Sequence, residues 1–523
     1  MATQSAGSAP GLFVRASSGL VRDVGTRDTV IYGLNAITIA YVTFTMTSWA
    51  LYPGASYEAS TALTTLGAIG VGIVYALLAG VYPRSGGEYV FLSRIVRPDL
   101  GFVISFVQTF WYIFYFGLNG AFFSIYGLSP MFSTLGIQTG NTTLVNLGTW
   151  FSQPAGIFVA GTAVLVVVAF MVFRGMRAYF TFQRWGTFIG LASAVVTIGV
   201  LALGAAGVFH FQSSFDAVAG AGAYQKIVTG VAVPAYTVPD TLNFMVWPAF
   251  SILFSVNMVA FSGEIKHIGR GPLVGIVGSM ILAGLIFIGF MFFARGAMSD
   301  QFMIGAATST SFPLPIAPFI NSLASILAAN PVLTIVMNLW VILIIPYALG
   351  SNILYASRAL LAWSLDGVAP AKLSEVSPRY HSPVVAILVV AVIAEGWLAI
   401  YAFTTLVTIL SGLLAFSIAF LVVSLTGIVF PYLKRELFER SPAAIRVGGI
   451  PLMTVAAVVG AIFSGFLFYR TIVDATFGAS TTFSIEVTVG AFVAGFVWFY
   501  AARAYRRGQG AAVESVFNEI PVE

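Results

Sequence analysis

Long apolar stretches are the dominant feature of the hydropathy pattern along the chain. Twelve of them approach or exceed the roughly 20 residues with which an α-helix crosses about 30 Å of hydrocarbon. None alternates strictly between apolar and polar positions, as a strand of a membrane barrel does, and a helix satisfies its own backbone hydrogen bonds in lipid. The sequence therefore predicts an all-α integral membrane protein with transmembrane helices at 30–52, 61–82, 99–127, 154–173, 184–208, 244–265, 273–295, 331–360, 384–402, 404–430, 450–470 and 484–504.

The polar segments between these stretches carry an asymmetric charge. If successive helices alternate in direction, all but three of the 24 Lys and Arg residues fall on one face of the membrane. The exceptions are Lys226, Arg295 and Arg470. Because Lys and Arg are enriched in cytoplasmic loops, we expect a multi-pass plasma-membrane protein with both termini in the cytoplasm.

Composition agrees with a membrane protein and narrows its chemistry. Of the 523 residues 59% are hydrophobic and 8% are charged, and the mean hydropathy is +0.95. The chain has no Cys and three His residues, which excludes disulfides, thiolate metal sites and iron–sulfur clusters. The orientation of the protein in the membrane accounts for its net charge of +5, so we expect the lipid bilayer, and not nucleic acid, as a partner. We also expect no metal and no cofactor.

Three polar blocks stand out between the apolar stretches on the charge-rich face. The first is PRSGGEY at 83–89, where Pro83 ends a helix and the two glycines permit a sharp turn. The second follows the eighth apolar stretch, with SR at 357–358, DGVAP at 366–370 and SPRYHSP at 377–383. The third is EIKHIGRGP at 264–272, whose neighbouring cations suggest that Glu264 belongs to a solvated charge cluster.

In this order and at these positions, the blocks resemble the amino acid-polyamine-organocation transporter superfamily. The first block is similar to that family's Pro-Arg-Ser-Gly-Gly-x-Tyr loop, and the third to its Glu-x-Lys-Asn-Pro segment. The second block resembles its Ser-Arg, Asp-Gly-x-x-Pro and Ser-x-Arg-x-x-x-Pro sequence after helix eight. The resemblance runs from about Asp28 to the tenth predicted helix. It implies that helices one to five and six to ten form two inverted repeats, with two extra helices at the C-terminus.

This organisation divides the chain into segments. We expect a cytoplasmic tail at 1–29, the first repeat at 30–208, an extracellular loop at 209–243, the second repeat at 244–430, the extra helices at 450–504 and a cytoplasmic tail at 505–523. The outer segments 209–243 and 296–330 mix Gly, Ala, Pro, Ser and Thr with few charges, which favours flexible loops.

The resemblance also implies a function and a place for it. It implies a secondary transporter that moves amino acids or related amines by alternating access around helices one and six, both broken at mid-membrane. In that fold, freed backbone N–H groups attract a substrate carboxylate, and freed carbonyls accept hydrogen bonds from an ammonium.

The sixth predicted helix keeps part of this arrangement. Its Pro248 cannot donate a backbone hydrogen bond, and Ser and Asn residues follow at helical spacing. Counting back from Glu264 aligns 254–256 with the family's break, although the family's glycine is missing. The candidate substrate-binding residues of this helix are Ser251, Phe254, Ser255 and Asn257. A proline-kinked helix whose Ser and Asn side chains bond to neighbouring helices is the alternative.

The first predicted helix departs further from the resembled family. It carries Ile39-Ala40-Tyr41 where the family has Gly-x-Gly, and no glycine lies between Gly33 and Gly54. Its β-branched residues favour unwinding, whereas the Ile39 and Tyr41 side chains hinder the approach of a carboxylate. The candidate binding residues here are Ala36, Thr38, Ile39, Ala40, Tyr41 and Thr43. The substrate is left open between an amino acid held differently, a decarboxylated amine and another small organic solute.

Polar residues inside other predicted helices are further candidates. Glu395 is the one clear acidic residue within a predicted helix. Inserting an ionised carboxylate into the membrane at the centre of a helix costs about 2.5–3.5 kcal/mol, so residues of this kind often have a functional role. We treat Glu395 as a candidate for proton coupling, with a structural pairing to a neighbouring helix as the alternative. Some of the following residues are expected to line a central cavity: Gln108, Trp111, Tyr112, Tyr115, Asn119, Asn338, Trp340, Pro346, Tyr347, Ser351 and Asn352.

Other classes of membrane protein fit the sequence less well. A membrane enzyme would cluster acids, bases or metal ligands within its helices, and a channel would show a filter motif. An ATP-driven pump would need a phosphate-binding glycine-rich loop. The sequence has none of these patterns, so we expect a transporter rather than an enzyme or a channel.

Overall fold

The computed structural model of the chain describes residues 19–44, 48–406, 410–509 and 517, with the side chains of Thr43 and Phe44 left aside. Within these ranges, eleven helical stretches are long and apolar enough to cross a membrane. Each of them overlaps one of the predicted spans after the first. The prediction of an all-α membrane protein is therefore confirmed, while the count of twelve spans and the inverted repeat stay predictions.

The first half of the chain forms helices that we number in sequence order. They are α1 (Thr26–Ile37), α2 (Tyr57–Val81), α3 (Glu88–Ile95), α4 (Pro98–Phe122), α5 (Ser129–Thr139), α6 (Thr142–Phe151), α7 (Pro154–Phe173), α8 (Met176–Ala205), α9 (Phe211–Ala219), α10 (Ala223–Val228), α11 (Val238–Phe244) and α12 (Val246–Ile252). A first 3₁₀ segment, Ile39–Phe44, follows α1, and a second 3₁₀ segment, Leu253–Glu264, follows α12. A π-helical segment, Phe123–Leu128, joins α4 to α5.

Over its described residues, the second half adds nine α-helices and a small hairpin. The helices are α13 (Gly271–Met298), α14 (Asp300–Thr308), α15 (Ile320–Ala328), α16 (Pro331–Leu365), α17 (Val384–Phe403), α18 (Leu413–Leu433), α19 (Arg435–Glu439), α20 (Leu452–Val473) and α21 (Thr482–Gly508). Short 3₁₀ turns lie at Ala371–Ser374 and Ala475–Phe477. Strands β1 (Arg446–Val447) and β2 (Ile450–Pro451) pair antiparallel, with Arg446 opposite Pro451.

The first predicted span is interrupted, which is why it is not among the eleven. Helix α1 has 12 residues and ends at Ile37, where Thr38 adopts a left-handed conformation with φ 55° and ψ 70°. The chain then continues in the first 3₁₀ segment. The interruption thus forms without glycine, at a β-branched residue that rarely adopts this conformation.

The sixth predicted span is interrupted in a different way, by a change from α-helical to 3₁₀ winding. Helix α12 passes into the second 3₁₀ segment at Leu253, beside the predicted break at 254–256. The backbone leaves helical geometry only at Phe261, with φ −120° and ψ 29°. Because a 3₁₀ helix has three residues per turn, the side chains after Leu253 point in directions that α-helical spacing does not predict.

The surface and the packing of the bundle are those of a membrane protein. Leu66, Trp185, Val392 and Ile462 lie on the outer faces of four different spanning helices, and each is more than 60% exposed. Inside, α1 packs on α13, α4 on α16, and α18 on α20. Small residues allow close approach where Gly70 of α2 lies against the backbone of α20.

Two parts of the predicted organisation need correction. The segments 209–243 and 296–330 are not plain loops, because they contain α9, α10, α11, α14 and α15. Their aromatic residues form a small core of their own, in which Phe302 contacts Phe211 with ring centroids 4.7 Å apart and Phe215 at 5.1 Å. The tenth span was predicted from 404, whereas α18 begins at Leu413, since a continuous apolar run does not mark where one helix ends and the next begins.

Candidate functional site

The two interrupted spans meet at a cavity inside the bundle. Its other walls come from α4 with the π-helical segment, from α16 and from the start of α18. The empty space between the walls, part of it open to solvent, is about 720 Å³. The lining residues are Ala36, Ile37, Thr38, Ala40, Tyr41, Tyr115, Asn119, Phe122, Tyr126, Phe250, Ser251, Phe254, Ile345, Ala348, Asn352 and Leu413.

Thr38 closes helix α1 at the cavity wall. Its backbone N–H donates to the carbonyl of Asn35 at 3.0 Å, and its hydroxyl lies 3.3 Å from the carbonyl oxygen of Ala36. Ser251 of α12 donates a hydrogen bond from its hydroxyl to the carbonyl of Ile37. The last carbonyls of α1, which a continuing helix would have used, are thus partly satisfied by side chains from both interrupted spans.

The cavity wall is uncharged and mostly apolar, with a few polar groups. Among its described lining residues there is no Asp, Glu, Lys, Arg or His. Asn119 and Asn352 contribute carboxamides, and the Nδ2 atom of Asn352 is buried without a hydrogen-bond partner. Six aromatic rings complete a large part of the wall. The cavity can therefore offer hydrogen bonds and ring faces to a bound molecule, but no compensating full charge.

Six of the ten predicted substrate-binding residues line this cavity. From the first span these are Ala36, Thr38, Ala40 and Tyr41, and from the sixth they are Ser251 and Phe254. The remaining four are Ile39, Thr43, Ser255 and Asn257. Ile39 is completely buried and is not part of the wall, and the side chain of Thr43 lies outside the described residues.

Ser255 and Asn257 lie behind the cavity wall. Both are buried, and the Ser255 hydroxyl has no hydrogen-bond partner. The Asn257 carboxamide oxygen accepts a hydrogen bond from the Tyr112 hydroxyl. The binding role of all ten residues stays a prediction, since the geometry shows only which of them face the empty space.

Several lining residues were not among the sequence candidates. Tyr115, Asn119 and Asn352 were expected near a cavity, but Ile37, Phe122, Tyr126, Phe250, Ile345, Ala348 and Leu413 were not. In a membrane protein both the lipid-facing and the inward-facing sides of a helix are apolar. Hydrophobic periodicity therefore does not identify the face of α16 or of the π-helical segment that lines a cavity.

Tyr41 separates the central cavity from a second, smaller pocket. The second pocket is about 350 Å³ and is lined by Tyr41 together with Val42, Thr61, Phe244, Trp247, Pro248, Phe287 and Met291. Apart from Thr61 and the Tyr41 hydroxyl, its described walls are apolar or aromatic. Tyr41 thus sets the length of the central cavity on this side.

All three polar blocks of the sequence meet at the end of the molecule where α1 begins, which we name the N-terminal end. The N–H of Gly86 donates to the carbonyl of Ala260 at 2.8 Å, and the Ser262 hydroxyl donates to the carbonyl of Arg84 at 2.8 Å. The N–H of Val24 donates to the carbonyl of Glu264 at 3.0 Å. Motifs far apart in sequence therefore close one end of the bundle.

A buried ion pair joins the second and third blocks. The distance from Nε of Arg358 on α16 to Oε1 of Glu264 is 3.0 Å, and the two side chains are 0% and 1% exposed. The prediction that Glu264 belongs to a solvated cluster is wrong, because its neighbours in sequence, Lys266 and His267, face outward while Glu264 turns into the protein. Breaking such a buried pair typically costs about 3–5 kcal/mol.

A second buried ion pair joins helix α3, which begins within the first block, to the second block. Nη2 of Arg94 on α3 lies 2.7 Å from Oδ2 of Asp366 just after α16, and the Tyr89 hydroxyl donates to the same oxygen at 2.8 Å. Burial lowers the pKa of Arg94, but the carboxylate of Asp366 outweighs this and leaves that pKa above its usual value. Both pairs therefore join separate elements at this end of the bundle.

Glu395 lies away from the cavity. It is half-buried on α17 and accepts a hydrogen bond from the Thr162 hydroxyl of α7. This contact matches the structural alternative considered for Glu395, in which the acid pairs with a neighbouring helix. Its role in proton coupling stays a prediction.

An apolar helical bundle with an uncharged internal cavity between two interrupted helices, closed at one end by buried ion pairs, has the construction of a solute transporter. The sequence model described as amino acid permease matches residues 25–497, and the chain therefore belongs to the amino acid permease family. The matched region begins at the residue before α1 and ends within α21. The protein is accordingly a multi-pass membrane transporter of amino acids or amines, with a small molecule as its substrate, and its family is one of transporters rather than of enzymes.

Proposed function

We propose that the protein is a secondary active transporter that moves a neutral, zwitterionic amino acid by alternating access, with the central cavity as its binding site. The observation that carries this proposal is the lining of the cavity, which combines carboxamides, hydroxyls and aromatic rings with no ionisable acid or base other than tyrosine among the described residues.

The absence of charge among the described lining residues bears on the class of substrate. Burying an ion without a partner is expensive, and a solute with a net charge would find no counter-charge in these walls. A zwitterion brings its own two charges into the cavity with no net charge. The lining therefore supports a neutral amino acid over a dicarboxylic acid or a diamine.

Two parts of the wall suit the two ends of such a molecule. The last carbonyls of α1, at Ala36 and Ile37, carry the partial negative charge of a helix C-terminus and favour an ammonium group. The unpartnered Nδ2 of Asn352 can donate to a carboxylate. Ile39 does not obstruct this arrangement because its side chain is not part of the cavity wall.

An amine without a carboxylate is the second candidate, and one observation favours it. Six aromatic residues line the cavity, and aromatic faces attract ammonium groups. The two candidates differ in whether the solute needs the Asn352 carboxamide.

We also propose the orientation and the location of the protein. The N-terminal end carries most of the cationic residues, which supports a cytoplasmic position for it and for both termini, in the plasma membrane. With this end closed by the Arg358–Glu264 and Arg94–Asp366 pairs, the described arrangement corresponds to a state in which the cytoplasmic side is shut.

Substitution of Asn352 tests the proposed site. In Asn352→Ala the loss of a hydrogen bond to a charged group, about 1.5–3 kcal/mol, should raise the KM for a neutral amino acid by about ten- to a hundredfold in reconstituted vesicles. Asn146→Ala on the exposed face of α6 is the matched control and should behave as wild type. An unchanged KM in Asn352→Ala, or an equal loss for an amino acid and its decarboxylated amine, would contradict the assignment of the carboxylate to Asn352.

A further inference from the structure

Between the central cavity and the first polar block lies a layer of buried polar atoms that lack hydrogen-bond partners. Buried polar groups usually have a hydrogen-bond partner, so a cluster of unsatisfied ones requires a structural or functional explanation. The atoms are Oγ of Ser255, Nδ2 of Asn257, the hydroxyl of Tyr355 and Oε1 of Glu88, and the side chains of Gln108 and Tyr75 lie beside each other next to them.

Tyr112 of α4 connects this layer to the cavity. Its ring lies 6.1 Å from that of Phe254, which lines the cavity, and 4.0 Å from that of Tyr355 on α16. Its hydroxyl donates to the carboxamide oxygen of Asn257. The layer therefore begins directly behind the cavity wall.

Glu88 lies at the far side of the same layer. It is the first residue of α3 and follows Gly87, whose φ of 62° turns the chain into the protein. Tyr355 packs on this turn, since a Cβ at Gly87 would lie 3.4 Å from its ring. The Glu88 carboxyl is also within electrostatic range of Tyr75 and Tyr112. Polar side chains therefore extend from behind the cavity wall to within electrostatic range of this carboxyl.

The surroundings of Glu88 contain no cation that pairs with it among the described residues. The nearby cations are committed elsewhere, Arg358 to Glu264 and Arg94 to Asp366, and Tyr89 on its own helix donates to Asp366. The titratable groups that face it from α2, α4 and α16 are all tyrosines, namely Tyr75, Tyr112 and Tyr355. Glu88 itself is 1% exposed, and one of its carboxylate oxygens has no partner.

An acid in such a place is stable only in its neutral form. Burial raises the pKa of Glu88 from 4.5 to about 8, and only its own backbone N–H acts in the opposite direction. When the N-terminal end opens and water reaches the first polar block, that penalty disappears and the group returns towards its ordinary acidity. Closing this end then takes up a proton, and opening it releases one.

We propose that Glu88 is a proton-binding site, loaded through the buried polar layer from the central cavity while the N-terminal end is closed and emptied when that end opens. The step forms and breaks one O–H bond on the carboxyl group, and the proton passes to or from water. The proposal rests on the transport function proposed above and names a proton as the co-substrate of that transport.

Infrared difference spectroscopy on the full-length protein in lipid nanodiscs tests the site directly, without substrate. The C=O stretch of a protonated carboxyl group should disappear from the wild-type spectrum as pH is raised through about 8. The band should be missing in Glu88→Gln and retained in Glu436→Gln, whose carboxylate side chain is 78% exposed. A wild-type spectrum without this band, or an unchanged band in Glu88→Gln, would overturn the proposal.

Vesicle transport tests the coupling. We expect an inward proton gradient to increase substrate accumulation by wild type and by Glu436→Gln. The same gradient should leave substrate accumulation by Glu88→Gln unchanged. Counterflow exchange at equal pH should remain measurable in Glu88→Gln, which shows that the variant is folded. If the gradient still stimulates transport by Glu88→Gln, the proposed coupling is contradicted. If the wild type moves no solute at all, the transport function is refuted, and the infrared experiment alone decides whether Glu88 binds a proton.

Discussion

Thr38 is the residue at which the first span changes direction. A left-handed conformation costs a non-glycine residue about 1–2 kcal/mol, and Thr38 adopts it with φ 55°. Its hydroxyl offsets part of this strain by bonding to the carbonyls that end α1. The strained residue therefore lies at the C-terminal end of α1, which faces the cavity.

Substitutions at Thr38 should separate the strain from the hydrogen bonding. In Thr38→Val the strain remains and the hydroxyl is lost, so the free energy of unfolding should fall by about 1 kcal/mol. In Thr38→Gly the loss of the hydroxyl is balanced by relief of the strain, so its stability should stay near that of wild type. Thermal unfolding in detergent measures both variants; a glycine variant that unfolds at a lower temperature than the valine variant would show that the left-handed turn is not strained.

Tyr41 should control the size of the accepted substrate. Removing its ring in Tyr41→Ala joins the central cavity to the neighbouring pocket. The ratio of kcat/KM for a large neutral amino acid to that for a small one should then rise by about tenfold or more. Tyr41→Phe keeps the ring and should keep the wild-type ratio. An unaltered ratio in Tyr41→Ala would mean that the second pocket does not receive the substrate.

Some of the individual residues that line the cavity could be predicted from the sequence. Small and polar residues around the interruption, from Ala36 to Tyr41, could be found because the resemblance places a broken helix there. The behaviour of Ser255 and Asn257 could not be predicted, because their spacing from Ser251 was counted as α-helical whereas the chain is wound as a 3₁₀ helix after Leu253. Glu88 stood within a recognised motif, but its isolation from cations depends on packing between distant elements.

At the scale of elements, the N-terminal end is closed by contacts between α16, α3 and the second 3₁₀ segment. The Arg358–Glu264 pair lies completely inside the protein, where the removal of one partner leaves the other charge uncompensated. If this end is open and water reaches Arg358, removal of its partner should cost less free energy than in the closed state.

Glu264→Gln should therefore shift the protein towards a state open at this end. The chain has no native cysteine, so a single Ala348→Cys in the cavity wall can report access to a membrane-impermeant thiol reagent. Labelling from the N-terminal side should increase by about a hundredfold in Glu264→Gln, the equivalent of roughly 3 kcal/mol. Glu436→Gln serves as the control on an exposed ion pair. Labelling at the control rate would show that the buried pair does not hold this end closed.

The elements themselves were predicted to different degrees. The span predicted at 154–173 coincides with α7 because Pro154 starts the helix and the polar residues after Phe173 end it. The start of α18 and the short helices α9, α10, α11, α14 and α15 were missed. Their boundaries depend on aromatic packing and on helix ends that the apolar run of the sequence does not mark.

For the molecule as a whole, the buried carboxyl of Glu88 should make stability depend on pH. Burial raises its pKa to about 8 in the folded protein, against about 4.5 when the chain is unfolded. Its contribution is fully present below about pH 4.5 and is lost as pH rises through about 8, because the unfolded chain can ionise while the folded one cannot. The unfolding temperature of wild type should thus fall relative to that of Glu88→Gln across this window. A difference between the two that stays constant with pH would contradict a buried neutral acid.

The whole-molecule architecture was the most predictable part. Helices in lipid need long apolar runs and closed backbone hydrogen bonding, so membrane-spanning segments are visible in a sequence in a way that cavity walls are not. The three polar blocks identified the resemblance because they carry charges and glycines at fixed places. The structure adds that these blocks contact one another and close one end of the bundle.

Uptake by the wild-type protein in reconstituted vesicles tests the central claim most directly. A panel of labelled neutral amino acids, their decarboxylated amines, diamines and dicarboxylic acids would be compared with and without an inward proton gradient. The uncharged cavity predicts saturable uptake of a neutral amino acid, with weak competition from the matching amine and none from solutes of net negative charge. Uptake confined to amines or acids, or no saturable uptake of any neutral amino acid, would contradict the account of the cavity as a site for a zwitterion.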